Sequence, residues 1–345
     1  MSVERLSPGC SAAYLLGHPA GPLPRCFAAR LLGHPAGPLP RSSAASPGLP
    51  RRYCGRVPAS LLLCNDPLAP RRCDPHFAPQ ADAARRAGAA VALIDHDALL
   101  AGHTEEAVRR VPQDLGAAWY RGWMIPARTY ADLDAALARR GTHLRTTAPM
   151  YRAAHELPGW YATFTDVTPP SAHAACAPHQ PPAPATLAEL TAALPAGPGI
   201  VKDYVKSRKH DWDEACYLPD LADTAAVREV VGRFTELQGD DLAGGVVLRA
   251  FEPFDAAVGE ARVWWLDGVP LLIKAHPDTP DLHPGPDVDH LRGLVRALGC
   301  RFVTTDLARR RTDGTWRVIE VGDGQVSDLP ANTDPAGLLT PLLAT

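Results

Sequence analysis

Three of the chain's four lysines, Lys202, Lys206 and Lys209, fall within eight residues, in the stretch IVKDYVKSRKHDWDEACYL that runs from Ile200 to Leu218. Apart from Lys274, every other basic residue is arginine. A lysine ammonium is a compact point charge that suits a single phosphate oxygen, whereas the flat guanidinium fork favours paired oxygens. A local return to lysine in an arginine-rich chain marks a place where that difference matters. Lys202 sits in an apolar run, where a lone ammonium is costly without an anionic partner. Lys206, Ser207 and Lys209 follow where the run gives way to a loop. The competing reading is an ordinary solvated loop, balanced by Asp211, Asp213 and Glu214.

A second set is acidic. Asp306 lies in FVTTDLARR, Glu320 in RVIEVGDGQ, and Asp323 just beyond. Carboxylates on adjacent strands can hold Mg²⁺ through oxygen while substrate phosphates complete its shell. Register sets a condition. A strict two-residue turn at Asp313-Gly314 would pair Asp306 with Val321, whereas a three-residue loop (Thr312, Asp313, Gly314) places Asp306 opposite Glu320 on one face. The metal reading therefore requires the odd-numbered loop. The alternative is an exposed acidic edge, yet Glu320 interrupts the apolar Val318, Ile319 and Val321 and should be half-buried. Arg249, in VVLRAF, and the pair Glu260 and Arg262, two apart on one strand face, are either cross-strand ion pairs or anion-binding groups lining a cleft. His276, His283 and His290 are seven apart, but Pro277, Pro280, Pro284 and Pro286 exclude a helix there, and no metal site is read from them. No Walker, nucleophile-elbow, zincin or dinucleotide-binding glycine motif occurs.

The elements that must position these groups follow from periodicity. Residues 1–55, with LLGHPAGPLPR at Leu15–Arg25 and again at Leu31–Arg41, read as a disordered Pro/Gly-rich extension without a signal-peptide pattern. Order begins near Ala59. Strand (ASLLLCNDPL), helix (FAPQADAARRAGA), strand (AVALIDHDALL), helix (TYADLDAALARRG) and strand (THLRTTAP) give a parallel α/β domain over 56–165. Residues 166–185, rich in proline, read as a linker. A second domain, 186–345, divides at 243/244. Its helix 223–239 starts at Asp223 or Thr224 and stops at Gly239. Strands follow at 244–254, at 260–276 (a hairpin turning at Asp267-Gly268), at 301–310 and at 316–322, an α+β pattern.

The chain has 345 residues, 46% apolar and 21% charged, with net charge −3. That balance is globular and argues against a nucleic-acid or anionic-membrane binder. No apolar run is long enough to span a bilayer. Eight scattered cysteines without C-x-x-C spacing read as free thiols of a cytoplasmic protein.

In order along the chain, IVKDYVKSRKHDWDEACYL, VLRAFEPF, EARVWWLDG, FVTTDLAR and VIEVGDGQVSDLP resemble the ATP-grasp superfamily. LLLCNDPLAPRRCDPHFAPQADAAR, WYRGWM and APMYRAAHELPGWY resemble the domain that precedes it in one bacterial branch. The resemblance spans about 58–330. It implies an α/β pre-ATP-grasp domain followed by a two-lobed ATP-grasp domain with antiparallel sheets. It further implies an ATP-dependent carboxylate–amine ligase using ATP and Mg²⁺ on small-molecule or peptide substrates. Lys202, Lys206, Ser207 and Lys209 would hold phosphate, Phe251 and Glu252 the adenine hinge, and Asp306, Glu320 and Asp323 the metal. Arg249 and Arg262 would hold the acylphosphate or the substrate carboxylate, and Arg121 and Asp66 would form the far wall of the substrate site. Two departures stand out: the phosphate loop is basic rather than glycine-rich, and Asp323 occupies a position where asparagine is usual. They leave room for a nucleotide-responsive binding protein that does not ligate.

Overall fold

The computed structural model describes residues 58–330 and 332–345; the Pro/Gly-rich extension lies outside them. The first domain contains β1 (Ser60–Asp66), β2 (Ala69–Cys73), α1 (Ala78–Arg86), β3 (Val91–Ile94), α2 (His96–Leu100), α3 (Thr104–Ala107), β4 (Gly116–Arg121), α4 (Ala127–Arg139), β5 (Thr142–Leu144), α5 (Ala148–His155) and α6 (Leu157–Phe164). β1 lies between β3 and β4, parallel to both, and β5 continues the parallel sheet beyond β4. Leu61, Leu62 and Leu63 are fully buried, which explains the unbroken apolar run.

Three expectations change here. The turn after β1 returns as β2, antiparallel to it, so Asn-Asp-Pro makes a hairpin. AVALIDHDALL is a strand only to Ile94; Asp95 then accepts from the Ala98 amide at 3.1 Å and starts α2. GAAWYR, at Gly116–Arg121, is the strand β4 beside β1, an element that periodicity did not single out.

The second unit contains β6 (Ser171–Ala175), α7 (Pro184–Ala192), β7 (Gly199–Asp203), α8 (Trp212–Ala215), β8 (Tyr217–Leu218), α9 (Thr224–Gln238) and β9 (Gly245–Ala250). Its antiparallel sheet has the order β6-β9-β7-β8. β6 falls inside the segment expected to be a linker, pairing Ser171 with Arg249. α9 begins with Asp223 accepting from the Ala225 and Ala226 amides, both at 3.0 Å, and Gly239 closes it at φ 53°.

The third unit contains β10 (Glu260–Leu266), β11 (Val269–Ala275), α10 (Arg292–Ala297), β12 (Phe302–Arg309), β13 (Trp316–Asp323) and α11 (Ala336–Leu343). Its sheet order is β11-β10-β12-β13, antiparallel throughout. The β10–β11 hairpin turns at Asp267 and Gly268, φ 51° and 76°, as a two-residue connection demands. One face of this sheet, with Trp264 and Phe302, joins the core of the first domain. The other, with Val263, Trp265, Val303 and Val321, packs on Trp160 and Phe164 of α6. α11 returns to the first domain: Ala59 N–H donates to the Leu343 carbonyl at 2.9 Å, and Trp119 Nε1 to that of Leu342 at 2.9 Å. Among the described residues no helix is long and apolar enough to cross a membrane.

Candidate active site

Alternation along β7 divides its side chains. Val201, with Val246 and Leu248 of β9, packs beneath α7 and α9. Lys202, opposite Val247, and Arg249, opposite Ile200, lie on the other face. Lys202 is 4% exposed, and Nζ makes one hydrogen bond, to the Val205 carbonyl at 3.3 Å. Burial pulls its pKa down, and Glu320 is the leading carboxylate that opposes this. Arg249 donates Nε to Ser171 Oγ at 2.9 Å and Nη1 to the Ile319 carbonyl at 2.6 Å. Its Nη2 is buried without a partner among the described residues. Burial lowers the Arg249 pKa to about 10, again against the pull of Glu320. Glu320 is therefore the leading acidic neighbour of both cations, across the gap between the two sheets.

The register places Asp306 opposite Glu320, as the metal reading requires, but by another route. Arg309 pairs with Trp316 and Leu307 with Val318, so the turn holds four residues beyond the Arg310–Thr315 bond. A bulge between Asp306 and Leu307, with Ile319 as the extra residue, restores the alignment. Asp306 receives Arg262 in bidentate form, Nε to Oδ1 at 2.8 Å and Nη2 to Oδ2 at 2.7 Å. Burial alone would raise the Asp306 pKa; Arg262 outweighs it and holds the carboxyl ionised. His276 Nε2 lies 2.6 Å from Arg262 Nη2 and 3.6 Å from Asp306 Oδ2. One of the three evenly spaced histidines thus joins the site, as a neighbour of this ion pair.

Asp323 lines the same cleft but is held differently. It pairs with Val303, the face opposite Asp306 and Glu320, and is fully buried. Oδ1 accepts from the Gln325 amide at 2.9 Å, while Oδ2 has no partner among the described residues. Burial raises its pKa to about 7. Magnesium needs few protein oxygens when phosphates supply others. Asp306 and Glu320, on one face, fit that requirement, and Asp323 lines the cleft near them with Oδ2 unpartnered among the described residues. No group of three or more potential ligands is assembled among the described residues.

The lysine loop is tied down at its root. Asp203 Oδ1 accepts from the Val205 amide at 2.7 Å and from that of Lys206, and its Oδ2 accepts from Gln238 Nε2 at 2.8 Å. Ser207 pairs back onto Lys202. Lys206 and Lys209 are exposed. Desolvation works against the Lys209 charge, but Glu260, Glu320, Asp278 and Asp306 outweigh it and raise the pKa. Of the neighbouring acids, Asp211 pairs with Arg208 at 2.7 Å and Glu214 with Arg233 at 2.6 Å.

The expected hinge residues separate. Phe251 is 37% exposed and meets Trp212 and Tyr217 edge-on, ring centroids 5.9 and 5.6 Å away. Glu252 instead binds Arg317 Nε at 3.0 Å and Arg310 Nη1 at 3.3 Å, fixing β12 and β13 to the chain that enters them. Nor do Arg121 and Asp66 form a substrate wall. Arg121 is 1% exposed and donates Nη1 to the carbonyls of Gly324 (2.6 Å), Gln325 (3.0 Å) and Ser327 (2.9 Å). Asp66 accepts from the Leu68 amide within the β1–β2 turn. The residues that do reach the cleft from the first domain are Met124 and His155, beside Arg262, Asp306, Glu320 and Asp323. Only the i, i+4 pair Tyr151 and His155 on α5 could have drawn attention to His155.

A sheet carrying the buried Lys202 is set against a second antiparallel sheet carrying the paired Asp306 and Glu320. Residues 189–342 match the model of an ATP-grasp domain family, the third of its clade. The fold is similar to that of a RimK domain protein ATP-grasp from Sphaerobacter thermophilus DSM 20745, with TM-score 0.53 and 16% identity, covering 83% of this chain and all of that one. It is also similar to D-cycloserine synthetase DcsG, with TM-score 0.53 and 21% identity, covering 83% and 99%. No curated protein matches the sequence.

Proposed function

We propose that the chain is a Mg·ATP-dependent ligase that activates a carboxylate as an acylphosphate for attack by an amine. The observation that carries this is the placement of Lys202 and Arg249 on one sheet, across from Glu320, with Asp306 paired beside Glu320 on the other. ATP phosphates would take Lys202, Lys206 and Lys209, with Ser207 in the loop, and adenine would lie toward Phe251, Trp212 and Tyr217. Asp306 and Glu320 would hold Mg²⁺, which supplies charge neutralisation between the phosphates. A carboxylate oxygen attacks the γ-phosphorus, its new P–O bond displacing ADP. The amine nitrogen then attacks the acyl carbon; the C–N bond forms, the C–O bond to phosphate breaks, and the amine loses a proton. Positioning and charge dominate such a reaction, so no covalent nucleophile is needed. The unpartnered Nη2 of Arg249 suits it to the transferred phosphoryl group or the acylphosphate, and Arg262 lies on the acidic sheet, paired with Asp306.

Asp323, fully buried where the resemblance leads one to expect asparagine, favours a second reading, a binding protein that responds to nucleotide without ligating. Thermal unfolding with and without Mg·ATP, followed by ADP release across amino acids and peptides, separates the two. Stabilisation with ADP release dependent on a carboxylate and an amine supports ligation. Stabilisation without turnover on any substrate favours the second reading, and no stabilisation refutes both.

A further inference from the structure

His155 ends α5 in the first domain, yet it lines the cleft that holds Asp306, Glu320 and Arg262. It is 6% exposed, and its ring stacks on Tyr151, centroids 4.9 Å apart. Neither ring nitrogen has a hydrogen-bond partner among the described residues. An imidazole that lines a polar cleft and bonds to no group of the described chain is open to a ligand group there. Burial, with Lys206 and Lys202 nearby, lowers its pKa to about 4. The ring is neutral at pH 7 and offers one acceptor nitrogen.

The rest of the lining defines what that nitrogen would meet. Met124, 38% exposed, and Val326 provide apolar surface. The adjacent Trp123 is committed elsewhere, packed on Phe77 and His76 and donating Nε1 to Asp74 at 2.9 Å. Met124 is therefore the apolar side chain of that pair left to the cleft. Asp306 and Glu320, assigned above to Mg²⁺, bound the far side of the cleft, and Arg262 is already paired with Asp306. The cavity is about 50 Å³, well below ordinary ligand sites, so only a small group fits it.

We propose that His155 and Met124 form the acceptor subsite, and that its ligand is a small primary amine with a short apolar group. An amine N–H donates to the His155 ring, and the apolar group lies on Met124 and Val326. This rests on the nucleotide-dependent ligase reading above.

The test uses the full chain labelled with ¹³C-histidine and loaded with Mg·AMPPNP, titrated with glycinamide, L-alaninamide and n-propylamine. His155→Phe assigns the ring signal and keeps the stack on Tyr151; Met124→Ser changes a partly exposed position and leaves the fold intact. At least one amine should move the His155 signal saturably, and each variant should raise the apparent Kd about tenfold or more, as a lost polar or apolar contact does. The nucleotide-induced rise in unfolding temperature should persist in both. Amine binding that leaves the His155 signal still, or that both variants retain at full affinity, overturns the assignment. So does the absence of binding by every amine while Mg·AMPPNP stabilises the protein. If Mg·AMPPNP fails to stabilise the wild type, the ligase reading falls and takes this inference with it.

Discussion

Lys202→Met separates what a buried charge costs the fold from what it gives a ligand. The ammonium is 4% exposed and has a single hydrogen bond of 3.3 Å. Methionine fills a similar volume without the charge, so the ligand-free protein should lose nothing or gain about 1 kcal/mol. The sign is also visible in pH. The folded-state pKa is depressed by burial, so the unfolded chain binds more protons between that value and the ordinary lysine value of about 10.4. Wild-type stability should therefore gain a component across that alkaline window, and the variant should lack it. Nucleotide binding should move the other way. At 100 times Kd, Mg·ATP contributes about 2.7 kcal/mol, or roughly 5 °C at about 2 °C per kcal/mol for a chain of this size. Losing a charge-assisted bond of about 1.5–3 kcal/mol raises Kd roughly 10- to 150-fold. At the same ligand concentration the remaining stabilisation is about 0.3–1.4 kcal/mol, or roughly 3 °C and less. Differential scanning fluorimetry measures both effects on one plate. A variant that keeps the full nucleotide shift would refute the assignment of Lys202 to phosphate.

Glu320→Gln should move the midpoint of a Mg²⁺ titration, read as nucleotide-dependent stabilisation, at least about tenfold upward. It should also destabilise the ligand-free protein by on the order of 1 kcal/mol, because Lys202 and Arg249 lose their leading acidic neighbour. Arg121→Met strands three carbonyls and the Gln80 side chain; urea unfolding should show a loss of about 2–5 kcal/mol. Asp323 has a folded-state pKa of about 7, above the ordinary carboxylate range. Its stabilising contribution is complete below about pH 4 and is lost as pH rises through 7. Asp323→Asn should abolish that acid-to-neutral decline and leave the protein more stable at pH 8, by at most about 4 kcal/mol.

The face of Lys202 was legible because it stands in an apolar strand whose odd positions must be buried. The pairing of Asp306 with Glu320 was legible only as a condition. The residues between them do not reveal that a four-residue turn and a bulge at Ile319 would combine to produce it. The setting of Asp323, which lines the cleft from within the strand, was partly legible. It is three residues from Glu320, and an odd spacing along a strand reverses the face unless the strand has already ended; β13 continues to Asp323. Glu252 and Arg121 were opaque for a different reason. Each is satisfied by groups distant in sequence, Arg317 and Arg310 in one case and the carbonyls after β13 in the other. A polar side chain in a strand shows that it needs partners, and the sequence cannot say whether a ligand or the chain supplies them.

The same distant contacts assign different mechanical roles to the parts of the cleft. Arg121, the Gly122 amide (3.2 Å to the Gln325 carbonyl) and the Tyr120 amide (3.0 Å to Gln325 Oε1) bind the segment after β13 to the first domain. Tyr130 adds its hydroxyl, which accepts from Gln325 Nε2 at 2.9 Å. Glu320 and His155 are thus carried on elements joined by a buried polar network. The lysine-bearing sheet meets them through fewer polar contacts, among them Arg249 to the Ile319 carbonyl and the Leu157 amide to the Tyr204 carbonyl at 2.8 Å. Phosphates between Lys202 and Glu320 would replace a direct attraction across the gap with a bridged one. Loss of Arg121 should therefore disturb the acids and His155 together, while loss of Lys202 should leave their mutual placement intact.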